Sequence, residues 1–124
     1  MVRLIVSIAA LLSLASCSTA TKKNEMGLLR PRVREVIDSH REDFSVCYKR
    51  TLKTKPNLSG IMTVDFEVSD SGKIKRLTTN PTQTTIQDKN MQNCVAKTLQ
   101  SLSFPSAPSG TVLMTSYPFL FARE

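Results

Sequence analysis

The chain reads as an α+β fold, a small antiparallel three-stranded sheet with helices on one face, in the order helix, strand, strand, helix, strand. Three patterns carry this expectation. Apolar residues recur at steps of three and four over residues 31–54 and again over 88–102. "GIMTVDFEV", residues 60–68, alternates apolar and polar side chains. Turn-forming stretches, "SDSGK" at 69–73 and "FPSAPSG" at 104–110, separate the remaining segments.

Residues 1–16 stand apart from that fold. Met1–Arg3 is a short positive start, and Leu4 to Leu14 is an almost unbroken apolar run, too short to span a bilayer. Small residues follow, the layout of a secretory signal; a buried core helix is the alternative. The run ends in "LLSLASCST", residues 11–19, where Cys17 follows Leu14, Ala15 and Ser16. That stretch resembles the bacterial lipobox. The resemblance implies cleavage before Cys17, a lipid on its sulfur and acylation of the new amine. An ordinary signal with a chance cysteine is the alternative. Two or three acyl chains would hold the chain firmly to a membrane without spanning it. Ser18, where an Asp resembles an inner-membrane retention signal in enteric bacteria, points to the outer membrane, facing the periplasm.

"STATKKNEMG", residues 18–27, is small, polar and charged, and reads as a flexible tether that reaches roughly 35 Å when stretched. The expected organisation is therefore a signal peptide at 1–16, lipidated Cys17 and tether at 17–30, and one domain at 31–124.

The first helix is expected over 31–54. Pro31 suits its first turn. Val33, Val36, Ile37, His40, Phe44, Cys47, Tyr48 and Leu52 form one face, and Pro56 blocks continuation. In the first strand Met62, Val64, Phe66 and Val68 point one way, and Thr63, Asp65 and Glu67 the other. Gly72 can take a positive φ in the turn to a weaker strand, "KIKRLTT" at 73–79, closing a hairpin. "NPTQTTIQ", 80–87, is a polar connection. Asp88 can cap a second helix, with Met91, Cys94, Val95, Leu99 and Leu102 on one face. A last strand runs from Thr111 to about Phe121, with Pro118 expected to cost it a ladder donor.

Cysteine count links these parts. Of three cysteines, Cys17 is set aside for lipid, and Cys47 and Cys94 both sit on apolar helix stripes. Export places them in an oxidising compartment, where a Cys47–Cys94 disulfide is expected; two buried free thiols are the alternative. Two Cys and a single His match no zinc spacing, and no metal or cofactor is expected.

Removing residues 1–16 takes away Arg3 from the 17 basic residues and none of the 10 acidic ones, so the net charge falls from +7 to +6. Such an excess favours anionic partners: anionic lipid, peptidoglycan or an acidic protein. The basic residues are scattered and the chain carries an export signal, so nucleic acid is not expected.

"LSGIMTVDFEVSDSGKIKRL", a following helix and "SFPSAPSGTVLMTSYPFLF" resemble the C-terminal domain of TonB-type energy transducers. With "CYKRTL" at Cys47 and "NCVAKTL" at Cys94, the chain is more similar still to the AgmX/PglI C-terminal group, named for proteins of gliding motility. The likeness covers roughly residues 33–122. It implies a last strand offered as an edge to an extended peptide, here Thr111, Val112, Leu113, Met114 and Thr115. The transducers' inner-membrane helix and long periplasmic span have no counterpart, so energy transduction is not implied.

The function expected is a lipid-anchored, non-catalytic envelope domain that binds an envelope protein, in a motility or envelope-spanning complex. A basic lipoprotein that binds cell wall or lipopolysaccharide is the alternative. A small hydrolase is the third reading: His40 is the single histidine, with Ser39 beside it, but no positioned nucleophile and base can be drawn, and no catalytic residue is expected.

Overall fold

A computed structural model describes residues 18–123, with side chains over 25–123. The signal segment and Cys17 lie outside the described residues. The elements are α1 (Ser18–Ser39), α2 (Arg41–Leu52), β1 (Gly60–Ser69), β2 (Ile74–Thr79), α3 (Lys89–Ser101) and β3 (Val112–Phe121). The fold is α+β, with an antiparallel sheet in the order β2-β1-β3. No helix among the described residues is long and apolar enough to cross a membrane.

The single helix expected over 31–54 is two helices, and the first begins earlier. Met26 and Leu29 extend the Val33–Ile37 stripe backwards by two turns and pack on the core, so residues 18–27 are helical rather than an extended tether. Pro31 therefore lies inside α1, on its exposed side. The break falls at His40. Its N–H bonds the Ile37 carbonyl at 3.0 Å, and its own carbonyl accepts from Asp43 at 3.0 Å, both one residue tighter than α-helical spacing. The Val36 carbonyl is satisfied by side chains instead: Ser39 Oγ donates to it at 2.7 Å and His40 Nδ1 at 2.8 Å. Past this tight turn α2 carries the stripe on with Phe44, Cys47 and Tyr48.

β1 is the central strand. Met62, Val64, Phe66 and Val68 are buried on the helix side, as the alternation requires, against Phe119, Leu113 and the α3 stripe of Met91, Val95 and Leu99. The turn after β1 needs its glycine. Gly72 has φ +76°, and a Cβ there would lie 2.3 Å from the Phe104 carbonyl oxygen. Phe104 N–H in turn donates to the Gly72 carbonyl at 2.9 Å, tying the 104–110 loop to the hairpin.

The connection at 80–87 is more than a polar link. Thr85 N–H reaches the Ile61 carbonyl at 2.8 Å, Asn80 N–H the Thr63 carbonyl at 2.8 Å, and Thr63 N–H the Thr84 hydroxyl at 3.0 Å. These bonds continue the sheet past the end of β2 and bury Ile86 completely. Asp88 caps α3 by accepting from Met91 N–H at 2.8 Å, and it pairs with Lys55 at 2.6 Å.

Cys47 and Cys94 are joined in a disulfide between α2 and α3, 47 residues apart in sequence. In the chain-entropy view a loop of that length contributes about 4 kcal/mol. For a domain of this size that is a large share of the net stability.

A candidate partner-binding groove at the sheet edge

The sheet has two edges, and β3 forms one of them along ten residues, every one in register with β1 from Ser69↔Val112 to Gly60↔Phe121. In an antiparallel ladder, alternate residues turn their N–H and C=O towards the partner strand and the others turn them away. The Met114 carbonyl is taken by Arg30 of α1, at 3.2 Å from Nη2 and 3.4 Å from Nε. Val112, Met114, Ser116, Pro118 and Leu120 are therefore the outward positions. Pro118 stands opposite Thr63, whose own backbone groups are engaged on the far side of β1. Its missing N–H thus falls on the outer edge. The ladder donor expected to be lost at Pro118 is not missed by β1, and β3 runs through to Phe121 as expected.

The segment expected to receive a partner, Thr111 to Thr115, is the part of this edge that α1 covers. Thr111 itself precedes the strand, its N–H held by the Pro108 carbonyl at 2.9 Å. Leu113 is buried against the core, and the Met114 carbonyl is held by Arg30. About two turns further along α1, Asp38 accepts a hydrogen bond from the Tyr117 hydroxyl. Burial, and then the neighbouring Asp38 carboxylate, push the Tyr117 hydroxyl up to about 12, with Arg41 and Arg34 opposing them.

Beyond Tyr117 the edge opens. A groove of about 350 Å³ runs between the helices and the end of β3, with Arg41, Phe44 and Tyr48 on one wall and Pro118, Leu120 and Phe121 on the other. Its floor is aromatic: Phe44 lies 4.7 Å from Phe119, and Tyr48 lies 5.3 Å from Phe121. On the other face of the sheet Leu120 is 73% exposed, directly opposite Ile61, itself 40% exposed. The sequence held one pointer to this place, "YPFLF", but the covering by α1 had no local signal.

Ser39 and His40 approach to 3.2 Å, closer than helical neighbours ordinarily do. The contact arises because both donate to the Val36 carbonyl. The hydroxyl proton is directed at that carbonyl and Nδ1 carries a proton, so the pair is not arranged as nucleophile and base. Among the described residues no group of three His, Cys, Asp or Glu is placed to hold a metal ion.

Compared with protein-family models, with curated proteins and with solved structures, the chain finds no match.

Proposed function

We propose that this chain is a lipid-anchored, non-catalytic envelope domain that binds a protein partner by adding an extended segment to the outer edge of β3, in a motility or envelope-spanning complex. The observation that supports this reading is the open stretch from Pro118 to Leu120, where outward backbone groups border an aromatic groove. The lipobox-like "LASC" supports attachment through Cys17 to the outer membrane, facing the periplasm. The AgmX/PglI and TonB-like likeness supports the mode of contact and rests on the residues quoted for it.

A photo-crosslinking residue at Ser45, which lines the groove, tests the reading in the intact envelope. A discrete adduct is expected, and it disappears in Leu120→Pro. That variant removes an outward N–H while leaving the β1–β3 ladder whole, as Pro118 already does. An adduct that survives Leu120→Pro overturns strand addition. Mass spectrometry of the mature chain tests the anchor; an unmodified Cys17 overturns it.

The basic excess favours a second reading, in which the domain binds peptidoglycan or anionic lipid. Co-sedimentation with purified cell wall that is lost at high salt supports it over strand addition.

A further inference from the structure

We propose that the strand-binding groove selects an extended segment bearing an acidic side chain, which pairs with Arg41, and an apolar side chain on its opposite face, which lies beside Leu120. The inference rests on the edge-strand reading above and goes on to the chemistry of the partner. Arg41 opens α2 and lines the groove alongside Tyr117 and Pro118. Its side chain is exposed and, among the described residues, enters no ion pair or hydrogen bond; the ion pair formed among them is Lys55–Asp88. Among the residues that line the groove Arg41 is the one charged side chain, while Asp38 of α1 is engaged by the Tyr117 hydroxyl.

Backbone chemistry reinforces the choice. From Pro118 to Leu120 the outward positions offer two carbonyls but one N–H group, because Pro118 has none. A partner strand is left short of one donor there, and the guanidinium of Arg41, which lines the same groove as Pro118, carries N–H groups directed by a planar fork that suits a carboxylate. Side chains of an added strand alternate between faces. Those on the helix side meet Arg41 and then the Phe44–Tyr48 wall. Those on the open side meet Leu120 and Pro118, which are exposed. The segment recognised is therefore acidic and apolar by turns, over about five residues.

The test is selection from a display library of random nine-residue peptides against the full chain in detergent, in parallel with Arg41→Glu and Leu120→Pro. Wild type is expected to enrich Asp or Glu flanked at odd steps by apolar residues. Replacing that acid by its amide in a selected peptide should weaken binding roughly fivefold, the scale of one rim ion pair. Arg41→Glu should enrich Lys or Arg at the same place. Peptides that need the Leu120 N–H but show no acidic preference, unchanged by Arg41→Glu, overturn the partner chemistry and leave strand addition standing. Peptides that bind Leu120→Pro as well as wild type, or no enrichment at all, count against strand addition itself.

Discussion

Arg30 and Met114 lie 84 residues apart in the chain, yet the guanidinium of one holds the backbone carbonyl of the other at 3.2 Å. This contact divides the outer edge of β3 into a covered half and an open half. Exposed strand edges invite pairing with other copies, and a charge laid along the edge is one way of blunting them. Arg30→Ala is expected to cost at most about 1 kcal/mol, the worth of a charge-assisted bond at an exposed site. Its larger effect is concentration-dependent self-association, which sedimentation velocity reads directly. A variant that remains as monodisperse as wild type would show that α1 shields the edge without this side chain.

The Cys47–Cys94 bridge ties α2 to α3. Replacing both cysteines with serine is expected to lower unfolding free energy by up to about 4 kcal/mol. Urea titration with and without reductant measures it. Wild type under reductant should approach the double variant, and no shift on reduction would mean that the bridge is not formed in solution.

Asp88 links helix capping to acid stability. Lys55 and the Met91 N–H hold its carboxyl below the usual carboxylate range. A carboxyl lowered on folding stabilises above its unfolded value, near 4, and the contribution is lost as pH falls through the folded value. Asp88→Ala should cost about 1 kcal/mol at neutral pH. Asp88→Asn keeps a capping oxygen, so its neutral loss should be smaller while the acid limb of the stability profile flattens in both. An acid limb unchanged by either substitution contradicts the assignment.

Two glycines with positive φ separate strain from clash. Gly72 and Gly110 have φ of +76° and +74°, but only at Gly72 would a Cβ strike backbone, the Phe104 carbonyl. Gly110→Ala should cost roughly 1 kcal/mol from strain, and Gly72→Ala more than that. Thermal melts of the two variants side by side decide the order; equal losses would mean that the 104–110 loop yields to the new methyl.

Tyr117 offers an optical probe of the α1–β3 contact. Its hydroxyl is pushed to about 12 by burial and Asp38. A phenol raised on folding stabilises fully below its unfolded value, near 10, and that contribution fades as pH climbs towards 12. Difference absorbance during alkaline titration of the Tyr48→Phe variant isolates Tyr117. Asp38→Asn should bring its titration to lower pH.

The parts legible from residues alone were those governed by local rules. Alternation from Met62 to Val68 named the buried face of β1, Asp88 announced its helix, and Gly72 its turn. Stripes placed Cys47 and Cys94 where a bridge joins them. The misread parts depend on contacts across the fold. Nothing in "STATKKNEMG" says that Met26 will rest on the core, and polar composition suggested a tether. His40 fits the helical stripe by spacing, while the tightened turn there comes from side chains competing for the Val36 carbonyl. "NPTQTTIQ" shows no strand alternation, yet its threonines supply the hydroxyls that complete β1. In the candidate site, the edge position of β3 follows from the strand order, while the hold of Arg30 on the Met114 carbonyl joins residues 84 apart and leaves no local sign in the sequence.

The unbroken register of β3 with β1 also bears on how force passes through the domain. Its hydrogen bonds run across the strands, so a pull along the axis of β3 strains the hydrogen-bonded pairs of the ladder together instead of unzipping them in turn. Tension applied along β3 is then resisted by the whole ladder in shear, which is the stiffer of the two directions in which a sheet can be loaded.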